Sequence, residues 1–177
     1  MDDDFIAKVA TDLPSFPEQV IRLWFDHGYG EGWPPKLDKY GAPEPDTAWR
    51  KALGDRPLDF WRQTVWTPER RPLGLRTLDG NGDYTIEMMA TAYGLGLPFH
   101  PSVPIQNSRE RIGPFVKAIE ATGTLPVPPI LLVRPRGLEI LDGCHRLAAL
   151  HHARTAGLKV DAEHDAWIAR GPVDLDG

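Results

Sequence analysis

A single cysteine, Cys144, stands in 177 residues, so the chain has no means of building an internal disulfide framework. That usage points to a reducing compartment. Long apolar runs are lacking as well, and none approaches the roughly 20 residues that a membrane span requires. The opening Met1-Asp2-Asp3-Asp4 is the reverse of the basic start of a secretory signal. The expected location is therefore the cytoplasm, with no membrane partner. An excess of basic charge is missing too. Lys and Arg number 20 against 25 Asp and Glu, for a net charge of −5 and a pI near 5.6. Nucleic acid is thus not an expected partner, since a generic binder carries a basic face. No internal repeat or low-complexity tract occurs. What the chain has in quantity is punctuation, with 18 prolines and 17 glycines, so short elements and many loops are expected. A hydrophobic content of 41% and a charged content of 25% are those of a globular protein. The length suits one ordinary domain, or a small core with a substantial extension.

The first half is rich in tryptophan, with five of the six before residue 67. Ser15-Phe16-Pro17-Glu18, followed by Val20, Ile21, Leu23 and Trp24, predicts a capped helix running to about Asp26. The segment from His27 to Pro35, rich in glycine and aromatics, reads as a surface loop. Thr47 to Leu53 and Leu58 to Trp66 suggest two short helices, and Asp83 to Tyr93 a third, stopped by Gly94 and Gly96. The expectation for residues 1–97 is a mostly helical, Trp- and Pro-rich extension. It would have its own apolar cluster and fold onto the C-terminal core.

Residues 98–177 read as a mixed α/β core. A strand is expected over Ser102 to Gln106. A helix comes next, from Arg109 to about Ala121, with Ile112, Phe115, Val116 and Ile119 at helical spacing, ended by Gly123. Ile130 to Val133 and Leu138 to Leu141 flank Pro135-Arg136-Gly137 as a hairpin. A helix from Cys144 to about Ala156 and short strands at Lys159-Val160 and Ala166 to Ala169 complete the set, with helices packed on a small sheet.

The stretch Leu138 to Leu150 carries the chemistry. A β-type run meets Asp142-Gly143, and good helix formers begin at once. The free N–H groups of such a helix start favour an anion, and phosphate is the natural guest. Gly143 suits the bend because it lacks a Cβ. His145 and Arg146 would be disfavoured in a first helical turn unless an anion neutralises them. Otherwise they are solvated surface residues. Cys144, beside these cations, is expected to hold a stabilised thiolate, or else to be a small buried side chain. Asp142 could accept the proton of an attacking hydroxyl or hold Mg²⁺, or simply end the strand in an Asp-Gly turn. Glu110 is a weaker second carboxylate.

These residues resemble the ParB/sulfiredoxin superfamily over roughly residues 98 to 170. Gly143-Cys144-His145-Arg146 is identical to the catalytic motif of sulfiredoxins, and Val127-Pro128-Pro129-Ile130 looks like their VPPI strand. Ile140-Leu141-Asp142-Gly143-x-His145-Arg146 is similar to the motif of the small free-serine kinases built on the same fold. The resemblance implies a nucleotide-binding core in which Gly143, His145 and Arg146 hold phosphate. Arg111 falls where sulfiredoxins place a nucleotide-contacting lysine, while Pro114 and Ala118 replace their Ser and Thr. It further implies either a cysteine like that of sulfiredoxins at Cys144 or kinase chemistry at Asp142. Asp142 stands where sulfiredoxins have Gly, which favours the kinase branch. The implied cofactors are ATP or ADP with Mg²⁺.

The expected activity is thus a nucleotide-dependent phosphotransferase acting on a small hydroxyl-bearing metabolite, with Asp142 aligning the nucleophile. The alternatives are an ATP-dependent cysteine-sulfinate reductase using Cys144, and a non-enzymatic ParB-like nucleotide- or DNA-binding module. The extension could supply an acceptor pocket, a lid or a homodimer surface. Three further signals carry little. Asp79-Gly80-Asn81-Gly82-Asp83 begins like a calcium loop, but Tyr84 and Ala90 occupy its key positions. His151 and His152 are adjacent on a helix and point to different faces. Arg70, Arg71 and Arg76 form a modest basic patch diluted by Glu69.

Overall fold

Apolar spacing and glycine stops produce seven α-helices among the described residues, and four strands form one sheet. The computed structural model describes residues 3–25, 32–45, 47–79, 81–97 and 108–172. The chain is α+β. The helices are α1 (Asp3–Asp12), α2 (Glu18–Phe25), α3 (Ala48–Leu53), α4 (Leu58–Gln63), α5 (Asn81–Gly94), α6 (Ser108–Thr122) and α7 (Cys144–Thr155). The strands are β1 (Val65–Arg71), β2 (Ile130–Arg134), β3 (Gly137–Asp142) and β4 (His164–Arg170), in the sheet order β1-β4-β2-β3. No helix among the described residues is long and apolar enough to cross a membrane.

The chain divides into two compact units, residues 1–67 with 169–177, and residues 68–168. Residues 68–97, read from the sequence as part of the extension, belong to the second unit together with the motif. The first unit is built on rings. Phe16, Trp24, Phe25, Trp33, Trp49 and Trp61 are all buried. Their neighbouring ring centroids lie 5.0–6.2 Å apart, in the stacked and edge-on arrangements that aromatic quadrupoles prefer. Two of the buried indoles find acceptors for their N–H groups, Trp61 Nε1 on the Leu53 carbonyl at 3.1 Å and Trp33 Nε1 on Asp12 at 2.7 Å.

The second unit is aliphatic. Ile112, Val116 and Ile119 of α6, Leu147, Leu150 and Ala153 of α7, and Ile86 and Met89 of α5 share one core with Leu131, Leu138 and Ile168 of the sheet. The β2–β3 hairpin pairs Val133 with Leu138 and Arg134 with Gly137 in antiparallel register, as the turn at Pro135-Arg136 predicts. It delivers Asp142 directly to the start of α7.

Three expectations need revision. The helix read over Leu58 to Trp66 stops at Gln63, and the chain from Val65 becomes β1. Lys159-Val160 is not a strand, because Leu158 N–H and Asp161 N–H bond instead to the Ala153 and Gly123 carbonyls, at 2.9 and 2.8 Å. Helix α1, which carries Ile6 and Val9 inward, is an addition to the expected set. The strand expected at Ser102 to Gln106 and most of the loop from His27 lie outside the described residues.

Candidate functional site

The strand-to-helix joint forms where the sequence places it. Asp142 closes β3, Gly143 turns the chain at φ +105°, and α7 begins at Cys144. Gly143 has no side chain to cap the helix, and its carbonyl accepts the first helical bond, from Leu147 N–H at 3.0 Å. The backbone N–H groups of the first turn are therefore left to other partners. A Cβ on Gly143 would stand 2.9 Å from Pro129 Cβ and 3.0 Å from Arg146 Nε. Glycine is thus required here both for its backbone conformation and by the protein's own packing.

Arg146 turns inward. It is 6% exposed, forms an ion pair with Asp142 four residues earlier, and donates from Nη1 to the Pro128 carbonyl at 2.7 Å. The site thus brings together Asp142, Gly143 and Arg146 with the Pro128-Pro129 segment, which enters as the backbone and side-chain wall of the turn. His145 is half-buried in the first turn of α7. Arg111 stands exposed on α6.

Of the two expectations for Cys144, a stabilised thiolate or a small buried side chain, the half-buried thiol lies nearer the second. Burial pushes its thiol pKa up, and the nearby Asp142 carboxylate adds to the rise. A backbone hydrogen bond and the Arg146 charge act in the opposite direction but do not outweigh these. The expectation of a stabilised thiolate counted the cations and the helix terminus. It left out desolvation, which penalises the charged form.

Sequence reasoning missed a cleft of about 630 Å³ where α5, α6 and α7 meet. It is lined by Tyr93 of α5, by Glu110, Gly113, Pro114 and Lys117 of α6, and by His152 of α7. Tyr93 and His152 meet edge-on, with ring centroids 4.8 Å apart. Burial lowers the pKa of His152, and the adjacent His151 lowers it further. One signal was legible, since residues 110, 113, 114 and 117 form a single helical stripe. That stripe lacks large apolar side chains, whereas Ile112, Val116 and Ile119 form the core-facing one.

Comparison with known proteins finds no matching family model, no matching curated protein and no matching solved structure.

Proposed function

We propose that the chain is a nucleotide-dependent phosphotransferase that delivers a phosphoryl group to a small hydroxyl-bearing metabolite. In this reading the segment from α6 through β2 and β3 to α7 is a ParB/sulfiredoxin-like core. The observation that carries it is the joint itself, where an uncapped start of α7 lies beside the Asp142–Arg146 pair. The N–H groups of the first turn and His145 would receive phosphate oxygens. Arg146 would hold the Asp142 carboxylate in place, and that carboxylate would align the attacking hydroxyl. Phosphoryl transfer needs little else, because positioning and charge neutralisation supply most of the rate. Mg²⁺ bound mainly through substrate phosphates requires only one or two protein carboxylates, and Asp142 is the one the motif offers. The raised Cys144 thiol supports phosphoryl chemistry over sulfur chemistry, since the thiolate is the reactive form.

The test is nucleotide turnover against a panel of small hydroxyl metabolites, for the wild type, Cys144→Ser and Asp142→Asn, each checked for folding by circular dichroism. Turnover is expected to survive Cys144→Ser and to fall by about 10²–10⁴-fold in Asp142→Asn, the range for a positioned proton acceptor. Turnover lost in Cys144→Ser with nucleotide binding intact would move the chemistry to the thiol. Binding without turnover for any acceptor would leave a nucleotide-binding module. An absence of nucleotide binding by calorimetry, with and without Mg²⁺, would overturn the reading altogether.

A further inference from the structure

The cleft between α5, α6 and α7 is polar at one end in a specific way. Pro114 has no N–H, so the Glu110 carbonyl four residues earlier loses its helical donor. Glu110 and Pro114 both line the cleft. The Glu110 carboxylate and that carbonyl together make an end that seeks donors. Lys117 lies seven residues beyond Glu110 on the same stripe, about 10 Å along the helix, and gives the other end a positive charge. Between them the wall carries the Tyr93 and His152 rings and Gly113, which has no side chain.

Gly113 is informative because nothing steric requires it. A Cβ there would lie 3.7 Å from the Tyr93 hydroxyl, an ordinary contact. A glycine inside a helix costs about 1 kcal/mol relative to alanine, and here that cost keeps a cleft wall bare. The volume of about 630 Å³ is that of a small-molecule site. On α7, His152 stands seven residues after His145, which places both on one face of the helix. The ring wall therefore stands on the same helix face as His145 in the first turn, about 10 Å further along the axis.

A ligand that matches these features has a flat ring, hydroxyl or amino donors at one end and an anionic group at the other. We propose that this cleft binds the nucleoside end of the nucleotide. Its ring lies along Tyr93 and His152, its donors face Glu110, and its phosphate chain passes Lys117. The assignment rests on the phosphotransferase reading and adds to it the part of the site that distinguishes a nucleotide from a bare phosphate chain.

The test compares two probes by calorimetry, ATP and inorganic tripolyphosphate, on the wild type, Glu110→Gln and Gly113→Leu, with Gly113→Ala as the control for helix content. Wild type is expected to bind ATP more tightly than tripolyphosphate. Glu110→Gln weakens ATP by about tenfold, the weight of a hydrogen bond to a charged group. Gly113→Leu fills the cleft and weakens ATP further, while both variants bind tripolyphosphate as the wild type does. Equal binding of the two probes by wild type, or ATP affinity unchanged in both variants, overturns the nucleoside assignment and leaves the phosphate site standing. Binding of neither probe overturns the assignment and the phosphotransferase reading together.

Discussion

At the residue scale, Arg146 is held by two acceptors inside the protein, the Asp142 carboxylate and the Pro128 carbonyl. Both members of the ion pair are nearly buried, with side-chain exposures of 8% and 12%. A buried pair of this kind contributes little net stability over an apolar substitute, yet removing one partner leaves the other stranded. Arg146→Met alone is therefore expected to cost about 3–5 kcal/mol in denaturant unfolding. The double variant Asp142→Leu/Arg146→Met should recover much of that loss. Costs that simply add in the double variant would show that the two side chains are not coupled. From the sequence alone, Arg146 reads as a phosphate ligand or a surface residue, because neither Pro128 nor the depth of the turn is visible there. Asp142, Gly143 and Cys144 are all placed correctly by local pattern, yet the raised thiol of Cys144 comes from burial.

At the element scale, local chemistry accounts for most boundaries. Thr47, read from the sequence as the first residue of a short helix, caps α3, its hydroxyl accepting from Arg50 N–H at 3.2 Å. Thr47→Ala should lower stability by about 1 kcal/mol, measured as a shift in the urea midpoint at unchanged slope. A shift within error would mean that packing of Trp49 and Leu53 alone holds the helix. Gly123, at φ +79°, ends α6 where its spacing says it should. β1 was illegible for a physical reason. Val65-Trp66-Thr67-Pro68 contains a proline, which cannot donate to a ladder and is tolerated at a sheet edge. β1 occupies such an edge in the order β1-β4-β2-β3. Only the pairing itself could reveal that.

At the scale of the whole molecule, the two units are stabilised by different material, aromatic rings in one and branched aliphatics in the other. The second unit also encloses His164, which is fully buried. Its Nδ1 lies 3.0 Å from the Thr124 hydroxyl and its Nε2 lies 3.3 Å from Arg154 Nη2. Burial lowers the pKa of His164, Arg154 and Arg70 lower it further, and Asp161 opposes them. The folded state thus resists a proton that the unfolded chain accepts at about pH 6.5. Stability from this site is complete above that pH and is lost as the pH falls below it. Unfolding free energy measured by urea should drop between pH 7 and 5, and His164→Gln should flatten that drop. An equal drop in the variant would assign the effect to other groups.

The order of residues settles whatever depends on neighbours along the chain. Helix periods, glycine stops, the β2–β3 hairpin and the Asp142-Gly143 joint arise from side-chain spacing and backbone freedom within a dozen residues. The tryptophan excess that became the core of the first unit was legible in the same way. Packing in three dimensions selected which residues, far apart along the chain, would meet. It turned Arg146 onto Pro128, half-buried Cys144, enclosed His164 completely, and opened a cleft between Tyr93, Glu110 and His152. Burial and contact between distant segments set desolvation and pairing, and these fix the charge and availability of a side chain once its position along the chain is settled.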